Sequence, residues 1–102
     1  MDNNLDQAQA VKINFYAGLR PVVGSKSLFV TLPAHATLDL LLQKLIASYP
    51  VLKDMLFHGN DSLHSVVHIF VNGRDAHLLP DHLATPLHPG DVLDIFPPVG
   101  GG

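Results

Sequence analysis

Three glycines stand together at the end of this sequence, at Gly100, Gly101 and Gly102. Glycine is used where a chain must bend unusually or where another group must come close to the backbone. A chain end needs no bend, so close approach is the better explanation. A strip without Cβ atoms can enter a narrow channel in another protein and present its terminal carboxylate to chemistry there. The alternative is a frayed end without a role, because termini are commonly disordered.

Two prolines, Pro97 and Pro98, precede the glycine run. Each proline fixes φ and favours an extended polyproline conformation. The segment from Pro97 to Gly102 can therefore reach about 20 Å beyond the residue before it. A carboxylate is a poor electrophile, so Gly102 needs activation before it can transfer or accept a group.

The composition excludes several classes of protein. The chain has 102 residues, a hydrophobic fraction of 47% and a charged fraction of 15%, which describes one globular domain. A net charge of −3 with six Lys and Arg argues against nucleic acid. We expect no membrane partner, because no apolar run approaches about 18 residues. Residues 1–7 lack the features of a signal peptide, so a cytoplasmic location is expected.

The absence of cysteine and of enzyme motifs limits the chemistry further. With no cysteine in the sequence, disulfides, thiolate metal sites and cysteine nucleophiles are all excluded. No phosphate-binding loop, nucleophile elbow or His-Glu-x-x-His motif is present. The sequence therefore carries none of these enzyme motifs.

Seven histidines raise the question of a metal site. His64 and His68 are four residues apart, but in a strand they would share a face about 13 Å apart. Zinc sites usually need three or four convergent ligands, and the sequence shows no cysteine or clustered carboxylate beside these residues. We expect no metal site and solvated histidines on the surface. They are His35, His58, His64, His68, His77, His82 and His88.

The apolar pattern predicts strands over residues 11–17, 28–32, 66–71 and 92–96, with a further short strand near 76–78. Residues 18–24 are predicted as a loop, and Asn72-Gly73 as a tight turn. Thr37 is the predicted N-cap of a helix that ends before Pro50. One apolar stripe marks its buried face. The stripe consists of Leu38, Leu41, Leu42, Leu45, Ile46 and Tyr49.

These elements suggest three parts of the chain. Residues 1–10 are predicted to be a disordered extension, residues 11–96 a single domain and residues 97–102 a flexible tail. Residues 51–65 carry apolar positions that could close the core, but their pattern does not define an element.

The predicted order β-β-α-β-β-β resembles the ubiquitin-like β-grasp fold, an α+β fold with the helix across one face of a mixed sheet. The ending Phe-Pro-Pro-Val-x-Gly-Gly narrows the resemblance to the small subunit of molybdopterin synthase and related sulfur carriers of the ThiS/MoaD type. Further matches are Phe15-Tyr16-Ala17, Val71-Asn72-Gly73 and Gly90-Asp91. Gly100 occupies the position that varies in this family.

The resemblance implies that the chain is not itself an enzyme and that partner enzymes supply the catalysis. An ATP-dependent adenylating enzyme of the ubiquitin-activating type would form an acyl-adenylate at Gly102. A sulfur-donor protein would then displace AMP and leave a thiocarboxylate. The large subunit of molybdopterin synthase, or another acceptor enzyme, would receive the sulfur. The chain itself would bind no cofactor, since ATP is used by the activating partner.

Other functions remain open at this stage. Related carriers serve thiamine synthesis, cysteine synthesis and tRNA thiolation. A ubiquitin-like modifier would instead be conjugated to lysines through its Gly-Gly tail. An adaptor would use only the surface of its sheet.

The sequence also predicts a surface for partner docking. If Asp94 faces solvent, strand alternation turns its neighbours Leu93 and Ile95 inward and Phe96 outward. The same alternation places Tyr16, His68 and Phe70 outward, and exposed apolar patches of this kind usually mark interfaces. The resemblance supports Tyr16 and Phe96, whereas Phe70 follows from alternation alone. For Arg20, partner contact and plain solvation are equally supported. Alternatively, residues 53–65 could cover this face and make it core.

Overall fold

The computed structural model describes residues 8–59 and 62–98. Within these ranges the strands are β1 (Ala8–Phe15), β2 (Ser27–Pro33), β3 (Phe57–His58), β4 (Ser62–Leu63), β5 (His68–Val71), β6 (Arg74–Asp75) and β7 (Val92–Phe96). The helices are α1 (Leu19–Val23), α2 (Leu38–Ser48) and α3 (Val51–Leu56). Short 3₁₀ turns occupy Ala76–Leu78 and His82–Ala84.

The main sheet is mixed, with the strand order β2-β1-β7-β5-β6. The first and last strands, β1 and β7, lie side by side in parallel, and both β2 and β5 are antiparallel to their neighbours. Strands β3 and β4 form a separate two-stranded ribbon. Because β7 lies between β1 and β5, the chain leaves the sheet from its middle.

Helix α2 forms where the sequence predicts it. The Thr37 hydroxyl accepts a hydrogen bond from the backbone N–H of Leu40 at 3.3 Å, which satisfies one of the free donors of the first turn. The helix ends at Ser48, before Pro50. Its stripe packs into one apolar cluster with the inward side chains of the sheet. The buried helix residues are Leu38, Leu41, Leu42 and Leu45. The α+β class is therefore confirmed.

The predicted loop at residues 18–24 is wrong in part, because it contains the helix α1. Leu19 and Val23 anchor this single turn in the core, and Gly24 ends it with a φ of 77°. A left-handed φ of this kind is typical of glycine after a helix. The connection between β1 and β2 is therefore a helical arm rather than a simple hairpin loop.

The predicted strand at residues 76–78 is also wrong. Asn72 and Gly73 form the predicted tight turn with φ of 53° and 84°, but the returning strand β6 covers only Arg74 and Asp75. The carboxylate of Asp75 then accepts the backbone N–H of His77 at 2.9 Å and starts a 3₁₀ turn. A local side-chain cap has overridden the strand pattern here.

Several boundaries differ from the sequence prediction. Strand β1 begins at Ala8 rather than at residue 11, and β5 begins at His68 rather than at residue 66. Residues 1–7 of the predicted extension lie outside the described residues. Residues 51–65 supply Leu52, Leu56 and Phe57 to the core. In the described part of the chain, no helix is long and apolar enough to cross a membrane.

Candidate partner-docking site

The sheet face opposite α2 carries the predicted outward side chains. Leu93 and Ile95 of β7 are fully buried on the helix side, so the side chains between and after them point to the other face. In the sheet register, Phe96 lies opposite His68, and Asp94 opposite Phe70. The predicted alternation is therefore present, and it brings Tyr16, Phe70 and Phe96 together.

These three rings, which we term the aromatic face, have defined contacts. Tyr16 and Phe96 stack with centroids 4.1 Å apart and planes 13° from parallel. Phe70 meets Phe96 edge to face, with centroids 5.6 Å apart. Each such pair contributes about 0.5–1.5 kcal/mol beyond the area that it buries. All three rings are only partly buried, so the face is ordered and still open to solvent.

A chain of hydrogen bonds holds Tyr16 in place. The Tyr16 hydroxyl donates to Asp94 Oδ1 at 2.7 Å, and Asn14 Nδ2 donates to the same oxygen at 3.0 Å. Ser27 Oγ in turn donates to Asn14 Oδ1 at 2.7 Å. The hydrogen bond to Asp94 raises the pKa of Tyr16 above its ordinary value, because the bond requires the neutral phenol. Asp94 is thus half-buried and fixed, where the sequence predicts only a solvent-facing residue.

Arg20 lies at the edge of the aromatic face. Its Nε donates to the backbone carbonyl of Phe15 at 2.8 Å, and its Cζ lies 5.5 Å from the centre of the Tyr16 ring. A guanidinium at this distance is attracted to the electron-rich face of the ring. Arg20 is exposed, so the face carries one positive charge at its border.

An open and mostly apolar groove runs over the aromatic face. The described residues of the 53–65 segment do not line it, and Leu56 and Phe57 from that segment are buried in the core. The alternative in which this segment covers the face is therefore wrong for the part that the structure describes. The groove is lined by Tyr16, Ala17, His68, Phe70, Asp75, Phe96 and Pro97.

Beside this groove lies a cluster of side chains that the sequence did not predict. His68, Asp75 and His77 come together, so the expectation that no carboxylate accompanies the histidines is wrong. His68 Nδ1 lies 3.0 Å from Asp75 Oδ2. Burial acts to raise the pKa of Asp75, but the backbone N–H of His77 and the His68 ring outweigh it and lower the pKa. The cluster forms because the tight turn pairs residues 70 and 75, and the 3₁₀ turn brings His77 back toward β5.

The tail begins directly at the aromatic face. Phe96 ends β7, Pro97 is buried against the groove and Pro98 is exposed. The predicted functional residues Gly100, Gly101 and Gly102 lie outside the described residues. Their role stays a prediction, as does partner contact by Tyr16, Phe70, Phe96 and Arg20.

Comparison with known proteins shows the family of this chain. The ThiS family model matches residues 13–102. The chain belongs to the ThiS family. The small archaeal modifier protein 3 of Haloferax volcanii is 37% identical over 93 residues, which cover 90% of this chain and 98% of the relative.

Solved structures agree with this assignment. A molybdopterin converting factor subunit 1 from Pyrococcus furiosus, described as putative, superimposes with a TM-score of 0.71 at 28% identity and covers 89% of this chain and 99% of its own. The Amycolatopsis orientalis BexX/CysO complex contains a chain with a TM-score of 0.74 at 26% identity, covering 91% and 100%. The ubiquitin-like β-grasp fold and the membership in a carrier and modifier family are thereby confirmed.

Proposed function

We propose that this ThiS-family chain is a sulfur carrier that is activated by adenylation at Gly102 and then holds sulfur as a C-terminal thiocarboxylate. The observation that carries this proposal is the exit of the tail from the aromatic face. Phe96 belongs both to the ring cluster and to the last strand, so a partner that binds this face lies next to the first residue of the tail. The family match extends to residue 102, which supports a role for the glycines.

Formation of the thiocarboxylate takes two steps, each of which releases a leaving group. The Gly102 carboxylate attacks the α-phosphate of ATP, which releases pyrophosphate and forms an acyl-adenylate. Sulfide (HS⁻) released by a donor protein then attacks the acyl carbon, the bond to AMP breaks and a proton is lost, which leaves the terminus as a thiocarboxylate. The glycines suit this role because a residue without Cβ passes through a narrow catalytic channel. The partner enzyme supplies ATP binding and catalysis, and this chain supplies the docking face and the reacting carboxylate.

The sulfur acceptor that we propose first is the large subunit of a molybdopterin synthase. The Phe-Pro-Pro-Val-x-Gly-Gly ending supports this choice, together with the similarity to a protein described as a molybdopterin converting factor subunit. Carriage of sulfur for thiamine, cysteine or tRNA thiolation uses the same first two steps. We place the activity in the cytoplasm, where ATP is available to the activating enzyme.

A second function has equal support. The relative with 37% identity is named a modifier protein, and the same acyl-adenylate leads to conjugation when a lysine amine becomes the final acceptor. The two functions share the docking face and the adenylation step. They differ in the product, which is a thiocarboxylate for a carrier and an isopeptide-linked adduct for a modifier.

The proposal is tested by pyrophosphate release with the cognate adenylating enzyme. The native chain is compared with a chain that lacks Gly101 and Gly102, and with one that carries an affinity tag after Gly102. We expect release only with the native chain and the same melting temperature for all three. Equal activation of the truncated or tagged chain would contradict the proposal and favour an adaptor that uses only its sheet surface.

A further inference from the structure

The cluster beside the aromatic face has the composition of a metal site. We propose that His68, Asp75 and His77 bind a divalent transition-metal cation of the zinc type. Two imidazoles and one carboxylate are ligands that Zn²⁺ accepts, and three protein ligands leave a further position for water or a partner group. This inference concerns a site outside the tail chemistry and does not depend on it.

The fold brings the three ligands together from separate elements. His68 begins β5, Asp75 ends β6, and His77 lies in the 3₁₀ turn that follows. Their candidate ligand atoms all lie within 4.8 Å of one another. Ligand atoms around tetrahedral zinc are about 3.4 Å apart, given metal–ligand distances near 2.0–2.1 Å. Only a small closure is required, and the His68 side chain is 47% exposed, so solvent reaches this ligand.

Hydrogen bonds already orient two of the ligands. His77 Nε2 lies 2.9 Å from the carbonyl oxygen of Val67, which fits an Nε2–H donor and leaves Nδ1 as the lone-pair nitrogen. Metal-binding histidines almost always donate their second ring N–H in this way, which fixes the tautomer and the ring. Asp75 Oδ1 accepts the backbone N–H of His77 at 2.9 Å, so Oδ2 is the oxygen turned toward His68.

The cluster lies next to the groove over the aromatic face. His68 and Asp75 also line the groove over the aromatic face, so a cation held by them would lie at the border of that groove. The alternative use of the same residues is a plain hydrogen bond between His68 and Asp75 with no cation. That arrangement predicts no specific metal binding at all.

Titration calorimetry of the full chain with Zn²⁺ alone tests the inference. We expect one cation per chain and at least a tenfold loss of affinity in His68→Gln and in His77→Gln. Asp75→Asn should also weaken binding while keeping an oxygen that caps the 3₁₀ turn. The matched control is His58→Gln, because exposed His58 lies beside His64 with ring centroids 5.1 Å apart and would report binding at that rival pair.

Two further measurements keep the test decisive. Thermal melts without metal show that each variant is folded, and the visible absorption of Co²⁺ reports coordination by the native chain. The inference is overturned if millimolar Zn²⁺ gives no heat, if binding is unchanged in His68→Gln and His77→Gln, or if His58→Gln alone removes it.

Discussion

Replacing Phe96 with alanine tests whether this side chain contributes to partner binding as well as to the stability of the domain. Phe96 contributes two ring contacts inside the domain, with Tyr16 at 4.1 Å and with Phe70 at 5.6 Å. If it is also an anchor at the partner interface, Phe96→Ala weakens binding to the adenylating enzyme by at least about 1–2 kcal/mol. This corresponds to a rise in Kd of about 5- to 30-fold.

The same substitution has a separate cost in stability. Loss of two ring pairs lowers the free energy of unfolding by about 1–3 kcal/mol. Each kcal/mol corresponds to a drop of about 4–8 °C in Tm for a domain of this size. Binding must therefore be measured at a temperature where thermal melts show the variant to be fully folded.

Phe29→Ala is the matched control for this experiment. Phe29 is 75% exposed on β2, an edge strand, and lies outside the groove over the aromatic face. Calorimetry with the adenylating enzyme should show near-native affinity for Phe29→Ala and weakened binding for Phe96→Ala. Equal affinity of the Phe96→Ala variant and the native chain, or equal loss in both variants, would refute the assignment of the docking face.

Further outcomes concern the Tyr16 hydrogen bond, the glycine tail and the cap of α2. Asp94→Asn should lower the pKa of Tyr16 toward its ordinary value of about 10, as an NMR pH titration would show. In the native chain, the stability from this hydrogen bond is present below about pH 10 and is lost as the pH rises through the folded pKa. Gly101→Leu should abolish pyrophosphate release because its side chain blocks threading, whereas Gly100→Ala should be tolerated at the variable family position. Thr37→Ala should lower the free energy of unfolding by about 1 kcal/mol in urea titrations, since the cap of α2 is lost.

Alternation and helix periodicity were enough to predict α2 and the longer strands of the main sheet. A solvent-facing Asp94 was enough to assign Leu93 and Ile95 to the buried side of β7, and the same alternation placed Phe96 on the outer face. The N-cap at Thr37 could also be predicted from the sequence, because its hydroxyl accepts a backbone N–H from the first turn of the same helix. These signals are local in sequence, so they can be recognised without knowledge of the fold.

The missed features depend on contacts between distant or competing groups. Helix α1 is only one turn long, and Leu19 and Val23 hold it through core packing that no local pattern reveals. The cluster of His68, Asp75 and His77 depends on the Asp75 cap, which redirects His77 out of the predicted strand. The anchoring of Asp94 by Asn14 and Tyr16 joins residues about 80 positions apart, at 3.0 and 2.7 Å.

The most direct test of the central claim is the intact mass of the chain after reaction with its adenylating enzyme, ATP and a sulfur donor. A carrier gains the mass difference of one oxygen replaced by sulfur, and fragmentation places the change at Gly102. The same reaction without ATP gives the unmodified mass. An unchanged mass with ATP and donor present, or isopeptide-linked adducts in place of the thiocarboxylate, would contradict the sulfur-carrier account.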